Sequence, residues 1–348
     1  MAYNKYLNPM TEKEYLEEKN IRIIEENFKS VDMSKPNRRG IFRISLTEDC
    51  NFNCYFCHNE GMEGTKRQFD LKLLSNIIEA YRDYIKEIKL VGGEPLLHTQ
   101  FDKAVDICRD VAPVSVTTNG SLTPKWLDAL SYMKSITVSV HSLRDDVYSK
   151  IMGTRSKPSA VVDSIRKLID MGKRIHINCV VTTYNKDEAI GLAETFAEMG
   201  VEEIKFLSLL KVKDSDMNTY VPLDYISEKL EERYGKPTEV RGVKISYAIN
   251  SKSKATLLYQ YCSVGCNICR VDGYLRLLPD PSISYCLAAE PISIAEEAAR
   301  NDREGLLKKL HMAEEKEGHP AGYTYVVAPR RQEDNGVSDT ANLSGLQG

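Results

Sequence analysis

The stretch Gly40-Ile-Phe-Arg-Ile-Ser-Leu-Thr47-Glu-Asp-Cys50-Asn-Phe-Asn-Cys54-Tyr-Phe-Cys57 decides the reading of this chain. Its first half alternates apolar Phe42, Ile44 and Leu46 with polar Arg43, Ser45 and Thr47, the period of a strand with one buried face. Its second half sets three cysteines in a C-x3-C-x2-C loop directly after that strand. Outward from it, further β-branched runs fall at Glu87–Val91, Val114–Thr118, Ser135–Val140, Arg174–Thr182 and Glu203–Leu209. Helical periods separate most of them, at Asp70–Ile85, Phe101–Arg109, Pro124–Ser131, Ser159–Met171 and Asp187–Met199. Alternation of this kind predicts parallel strands joined by helical crossovers. Turn residues and polar motifs cluster after each strand, at the edge where barrels of this type carry their chemistry. The expected fold is α/β: a partial (β/α)6 TIM-like barrel in a core of residues 40–245. A helical extension, 1–39, precedes it, with an amphipathic helix at 11–29. A C-terminal extension, 246–348, follows, loop-like from Cys262 to Cys286, then one charged helix over Ala295–Glu314 and a polar tail.

The chain has 348 residues, 42% of them apolar, enough for a substantial interior. A net charge of −3 argues against a nucleic-acid partner, which calls for a basic face. No run of about 18 apolar residues exists, and residues 1–30 lack the apolar stretch of a secretory leader. A cytoplasmic protein with no membrane partner is expected. Reducing surroundings turn its nine cysteines towards ligation or catalysis rather than disulfides. Cys108 and Cys179 stand singly in apolar segments and read as core thiols. The other seven form two groups.

Three thiolates within eight residues, Cys50, Cys54 and Cys57, can wrap one metal centre. Structural zinc takes four ligands, and His58 offers a fourth. Iron–sulfur clusters also take thiolates, usually four. A cubane held by three leaves one iron open to an exchangeable ligand, which suits a reactive site.

The string Cys50-Asn-Phe-Asn-Cys54-Tyr-Phe-Cys57 resembles the signature of the radical SAM superfamily. That resemblance implies a [4Fe–4S] cluster whose open iron is chelated by S-adenosylmethionine (SAM). Reductive cleavage of SAM then yields a 5′-deoxyadenosyl radical that abstracts a substrate hydrogen. Gly92-Gly93-Glu94-Pro95 stands where the family binds the SAM amino group, an ammonium that wants a carboxylate and close backbone carbonyls. Phe56 resembles the aromatic position near the adenine. Ser139 resembles a hydroxyl contact to SAM, and also reads as a plain strand-end serine.

The strings Phe42-Arg-Ile-Ser-Leu-Thr, Gly92-Gly-Glu-Pro-Leu-Leu, Thr117-Thr-Asn-Gly120 and Ser139-Val-His-Ser-Leu143 resemble one branch. It is the GTP 3′,8-cyclase (MoaA) family of molybdenum-cofactor biosynthesis, whose members carry a second, C-terminal iron–sulfur cluster. Cys262, Cys266, Cys269 and Cys286 supply the corresponding group, as ligands of a second [4Fe–4S] cluster or of a closed zinc site. The departures are several. The family follows its paired C-terminal cysteines with Asn-Arg-x-Arg; here Cys266-Asn-Ile-Cys269 leads to a single Arg270. Arg43 matches a phosphate-binding arginine, whereas Lys89 and Lys205 stand for arginines and keep the charge without the bidentate fork. His176 stands for a lysine and carries no fixed charge near neutral pH. It reads either as a substrate contact or as an ordinary strand histidine.

Arg43, Lys89 and Arg270 are the expected anion anchors, with Thr118 and Asn119 lining the pocket. The expected activity is hydrogen abstraction from a small polar substrate of nucleotide or nucleoside type, followed by cyclisation, C–C bond formation or rearrangement. GTP 3′,8-cyclase is the specific alternative; a peptide-modifying maturase and a non-catalytic iron–sulfur scaffold are the others. By resemblance, the electron donor is a flavodoxin- or ferredoxin-type protein.

Overall fold

The computed structural model describes residues 40–59, 62, 64–209, 219–241, 244–259, 274–285 and 290–315. The expected helix at 11–29, the residues Cys262, Cys266, Cys269, Arg270 and Cys286, and the polar tail lie outside these residues. 

Six strands follow the sequence pattern: β1 Ile41–Ser45, β2 Glu87–Val91, β3 Val114–Thr118, β4 Ser135–Ser139, β5 Ile175–Val180 and β6 Glu203–Leu207. They pair in chain order and all in parallel. The crossovers carry α1 Leu71–Ala80, α2 Phe101–Arg109, α3 Leu127–Ser131, α4 Asp145–Met152, α5 Pro158–Asp170 and α6 Ala189–Glu198. Beyond them come α7 Asp224–Tyr234, the strands β7 Glu239–Arg241, β8 Lys244–Ala248, β9 Lys254–Leu258, β10 Leu275–Leu278, β11 Ser282–Ser284 and β12 Ile292–Ser293, and the helices α8 Ala295–Arg300 and α9 Arg303–Glu315. Among the described residues the sheet has twelve strands in the order β12-β11-β10-β1-β2-β3-β4-β5-β6-β9-β8-β7.

Two strands from the C-terminal part extend the expected six. β10 lies parallel beside β1, and β9 parallel beside β6, so the parallel run reads β10-β1-β2-β3-β4-β5-β6-β9. The segment from Cys262 to Cys286, read as loop, thus contains β10 and β11. The helix expected over Ala295–Glu314 is two helices, because Asn301 turns left-handed with φ 53° between them. Asparagine tolerates that conformation better than most side chains.

Local signals explain the crossovers. Asp70 caps α1, its carboxylate accepting from the amides of Lys72 (2.8 Å) and Leu73 (3.0 Å). Pro158 opens α5 at the position where its missing N–H costs nothing. Alternate strand residues, among them Phe42, Ile44, Ile88, Leu90, Ile136, Val138, Ile177 and Phe206, form one core with helix residues such as Leu74, Ile77, Ile165 and Phe196. The intervening positions, Arg43, Lys89, Thr137, His176, Asn178 and Lys205, point to the opposite face, the inside of the partial barrel. On the outside, α8 and α9 dock on the first crossover. Asn76 donates to the Ala298 carbonyl and the Tyr81 hydroxyl to that of Leu306, both at 2.9 Å. No helix among the described residues is long and apolar enough to cross a membrane.

Candidate active site

The C-terminal ends of β1 to β5 gather the motifs. The cysteine loop leaves β1 and is held by the loop after β2. The Gly93 amide donates to the Thr47 carbonyl and that of Glu94 to the Asp49 carbonyl, both at 2.8 Å. The approach is so close that a Cβ on Gly93 would stand 2.2 Å from the Asp49 carbonyl oxygen. On Gly92, at φ +148°, it would stand 2.5 Å from that of Thr47. The paired glycines therefore let two backbone edges meet, a reason additional to ligand access.

Glu94 turns inward and is 1% exposed. Its carboxylate accepts from the Thr118 hydroxyl (2.6 Å), the Asn119 amide (2.7 Å) and the Leu96 amide (3.1 Å). Burial pushes it up to about 7, against the pull of these donors. Asn119 in turn donates through Nδ2 to Asn51 Oδ1 (2.9 Å), and Asn51 donates to Ser121 Oγ (2.9 Å). Thr118 and Asn119, expected as pocket lining, thus tie Glu94 to the end of β3, and Asn119 ties the cysteine loop to it. Through its side chain Glu94, the residue expected on SAM, ties the end of β2 to the end of β3.

Cys50, Cys54 and Cys57 are half-buried. Cys50 Sγ accepts from the Phe52 amide (3.4 Å) and Cys57 Sγ from the Asn59 amide (3.3 Å), bonds that favour thiolates. Among the described residues no three His, Cys, Asp or Glu side chains converge on a single-ion site. Zinc would need Cys50, Cys54, Cys57 and His58 around one point. A cubane takes each thiolate on a separate iron and asks for no such convergence. The donor set, three thiols on one loop with backbone N–H groups on Cys50 and Cys57, fits an iron–sulfur cluster.

The loop rests on α4, which sequence reasoning missed because its first turn, Asp145-Asp146, resembles a polar connection. The Asn53 amide donates to the Met152 carbonyl (3.1 Å). Gly153, at φ +57°, ends the helix so close that a Cβ would lie 2.1 Å from the Asn53 carbonyl oxygen. Phe56 packs edge-to-face on His141, centroids 5.0 Å apart. His141 is buried neutral, its pKa pushed down to about 3 by burial. Its Nδ1 accepts from the Val180 amide at 3.0 Å, which puts the proton on Nε2. Asn185 donates to the carbonyls of His141 (2.7 Å) and Val180 (2.9 Å), closing the ends of β4 and β5. Ser139 is half-exposed at the end of β4, in register with Asn178. Cys108 and Cys179 are buried in the core, their thiols pushed up by burial.

Deeper along the strands lies a basic face. Arg43 is in register with Lys89 on one side and Arg276 on the other. Lys89 makes no ion pair among the described residues; its ammonium lies over the Tyr274 ring, 4.8 Å from the centroid. Burial raises the Tyr274 phenol, but Lys89, Arg43, Lys244 and Lys205 together outweigh it and bring it below its ordinary value. Lys205 pairs with Glu203 (3.1 Å). His176 sits near the start of β5, 3.6 Å from Glu202 and away from the cysteine edge. Burial, then Lys205, push it down against Glu203 and Glu202. Arg276 was not foreseen, although Leu275-Arg-Leu-Leu alternates as a strand does.

Three cysteines at the mouth of a parallel barrel, a glycine-paired docking loop and a basic interior fit an iron–sulfur enzyme. The Radical SAM superfamily model matches residues 44–197. A GTP 3′,8-cyclase of Aquifex aeolicus (strain VF5) is 28% identical over 297 residues, 80% of this chain and 90% of that protein. A probable GTP 3′,8-cyclase of Saccharolobus solfataricus is 31% identical over 255 residues, 67% of this chain and 80% of that protein. Streptococcus suis SuiB bound to S-adenosylmethionine shares the fold, with TM-score 0.59 at 16% identity, over 82% of this chain and 70% of that one. The chain belongs to the radical SAM superfamily. Within it the chain is MoaA-like, and its cofactors are a [4Fe–4S] cluster and SAM.

Proposed function

We propose that this radical SAM enzyme acts on a phosphate-bearing nucleotide, abstracting a hydrogen and leading to cyclisation or rearrangement. The observation that carries the reading is the basic inner face: Arg43, flanked in register by Lys89 and Arg276, with the Lys89 ammonium over Tyr274. Such a face holds phosphate oxygens where a barrel interior excludes water, and it sets the sugar and base towards the cysteine edge. When bound, cluster and SAM supply the carbon radical. Cys50, Cys54 and Cys57 hold the cluster. The backbone of Gly92 and Gly93, Phe56 and Ser139 face SAM, and Glu94 keeps their loops in register. His141 supports Phe56 from behind.

GTP 3′,8-cyclisation is the second reading, favoured by the names of relatives matched over 80 and 90% of their own length. The lysines at 89 and 205 and the histidine at 176 favour a different or less strongly charged nucleotide. A second [4Fe–4S] cluster on Cys262, Cys266, Cys269 and Cys286, with Arg270 beside it, belongs to the same proposal. So do a cytoplasmic setting and a flavodoxin- or ferredoxin-type electron donor. The test is anaerobic: 5′-deoxyadenosine release from the reconstituted protein with GTP, other nucleoside triphosphates and monophosphates, and the matching nucleosides. Release stimulated by a phosphorylated compound and not by its nucleoside supports the reading. A cyclised GTP product selects the cyclase. Stimulation by a nucleoside or a peptide alone overturns the phosphate anchor.

A further inference from the structure

The helix behind the cysteine loop carries a polar group that the mechanism above does not use. Tyr148, on α4, is 0% exposed, and its hydroxyl has no hydrogen-bond partner among the described residues. Leaving a phenol O–H in that state is costly, so buried hydroxyls of native proteins are satisfied. The surroundings show what it faces. Its ring meets Phe52 edge-to-face at 6.4 Å. One turn on, Met152 places Sδ 3.8 Å from Cys54 Sγ, and its carbonyl takes the Asn53 amide. Residues four apart share one helix face. The face that sets Met152 against Cys54 therefore also carries Tyr148, whose ring lies on Phe52, two residues before Cys54.

We propose that the Tyr148 hydroxyl donates a hydrogen bond to the Cys54 thiolate when the cluster is bound, and so sets the cluster's reduction potential. The proposal rests on the assignment of the cluster to Cys50, Cys54 and Cys57. Cys50 and Cys57 each receive a backbone N–H; the Tyr148 hydroxyl, itself without a partner among the described residues, is the side-chain donor assigned to Cys54. A donor to a ligating sulfur stabilises the more negative, reduced cluster, so it raises the potential. Here that makes the electron easier to load onto the cluster.

The test compares the full chain with Tyr148→Phe, both reconstituted anaerobically, by potentiometric EPR titration of the signal that changes when SAM is added. Iron per chain is counted first. Iron absent from the parent removes the cluster assignment, and the Tyr148 proposal with it. With iron equal in both, the variant's midpoint falls, and its reduced-to-oxidised ratio at a fixed potential drops about tenfold, which for one electron is 59 mV. The parent's reduced cluster also shows an exchangeable-proton coupling by ENDOR that the variant lacks, a signal that mere packing does not produce. Equal midpoints, or a coupling retained in the variant, overturn the proposal. Should the variant fail to hold iron, fluorotyrosine at 148 keeps the ring and strengthens the donor. Its midpoint then rises, and an unchanged midpoint overturns the proposal.

Discussion

Replacing Glu94 with Gln isolates one buried charge. In the folded chain the Glu94 carboxyl is pushed up to about 7 from an ordinary 4.5 by burial. A raised folded-state value means that folding takes up a proton between those limits. The stabilisation is fully present below about 4.5 and is lost as pH rises through about 7. One unit is worth 1.36 kcal/mol, so between pH 5 and pH 8 this group alone removes roughly 2–3 kcal/mol of stability. Glutamine keeps the shape and has no such titration. It also keeps one acceptor oxygen, for the Asn119 N–H, and offers an amide N–H to the Thr118 hydroxyl, which must turn to accept. Guanidinium unfolding of cluster-free parent and Glu94→Gln at pH 5, 6, 7 and 8 gives the difference directly, because all other titrations cancel. The expected result is a parent whose stability falls relative to the variant by about 2–3 kcal/mol across that range. Parallel pH profiles would refute the buried-charge reasoning.

Two further substitutions probe the docking loop and the basic face. Gly93→Ala puts a Cβ 2.2 Å from the Asp49 carbonyl oxygen, a backbone atom that cannot step aside cheaply. Overpacking of this kind costs about 1–3 kcal/mol or more, and the variant is expected to lose iron from the cysteine loop, measured by colorimetric iron and by unfolding midpoint. Lys89→Ala removes the cation over Tyr274. The phenol then titrates higher, seen by ultraviolet difference titration. Nucleotide binding weakens roughly tenfold or more, as for loss of one charged hydrogen bond, with a shallower salt dependence.

Much of the fold was legible because it rests on local periodicity. Phe42, Ile44 and their counterparts alternate with polar residues on strand after strand, and the motif glycines mark the strand ends. The unforeseen parts depend on partners distant in sequence. β9 and β10 fall outside the regular alternation of strand and helix, and only pairing with β6 and β1 shows that they continue the parallel run. Arg276 became an inner-face residue only when the register set it beside Arg43. Tyr148 lay in a helix masked by two leading aspartates. Glu94 was legible as a functional position. That its carboxylate clamps Thr118 and Asn119 was not, since a motif names a residue without the direction of its side chain. The break at Asn301 was readable in principle, because asparagine accepts the left-handed turn that separates α8 from α9.

The central claim is that Cys50, Cys54 and Cys57 carry the SAM-binding cluster. The most direct measurement is iron, sulfide and zinc per chain, with EPR before and after SAM, for the parent and for a variant with all three changed to alanine. The account predicts that the variant loses about four irons and every SAM-responsive signal, while any metal on Cys262, Cys266, Cys269 and Cys286 stays. A SAM-responsive signal that survives the triple change, or zinc lost in place of iron, would contradict it.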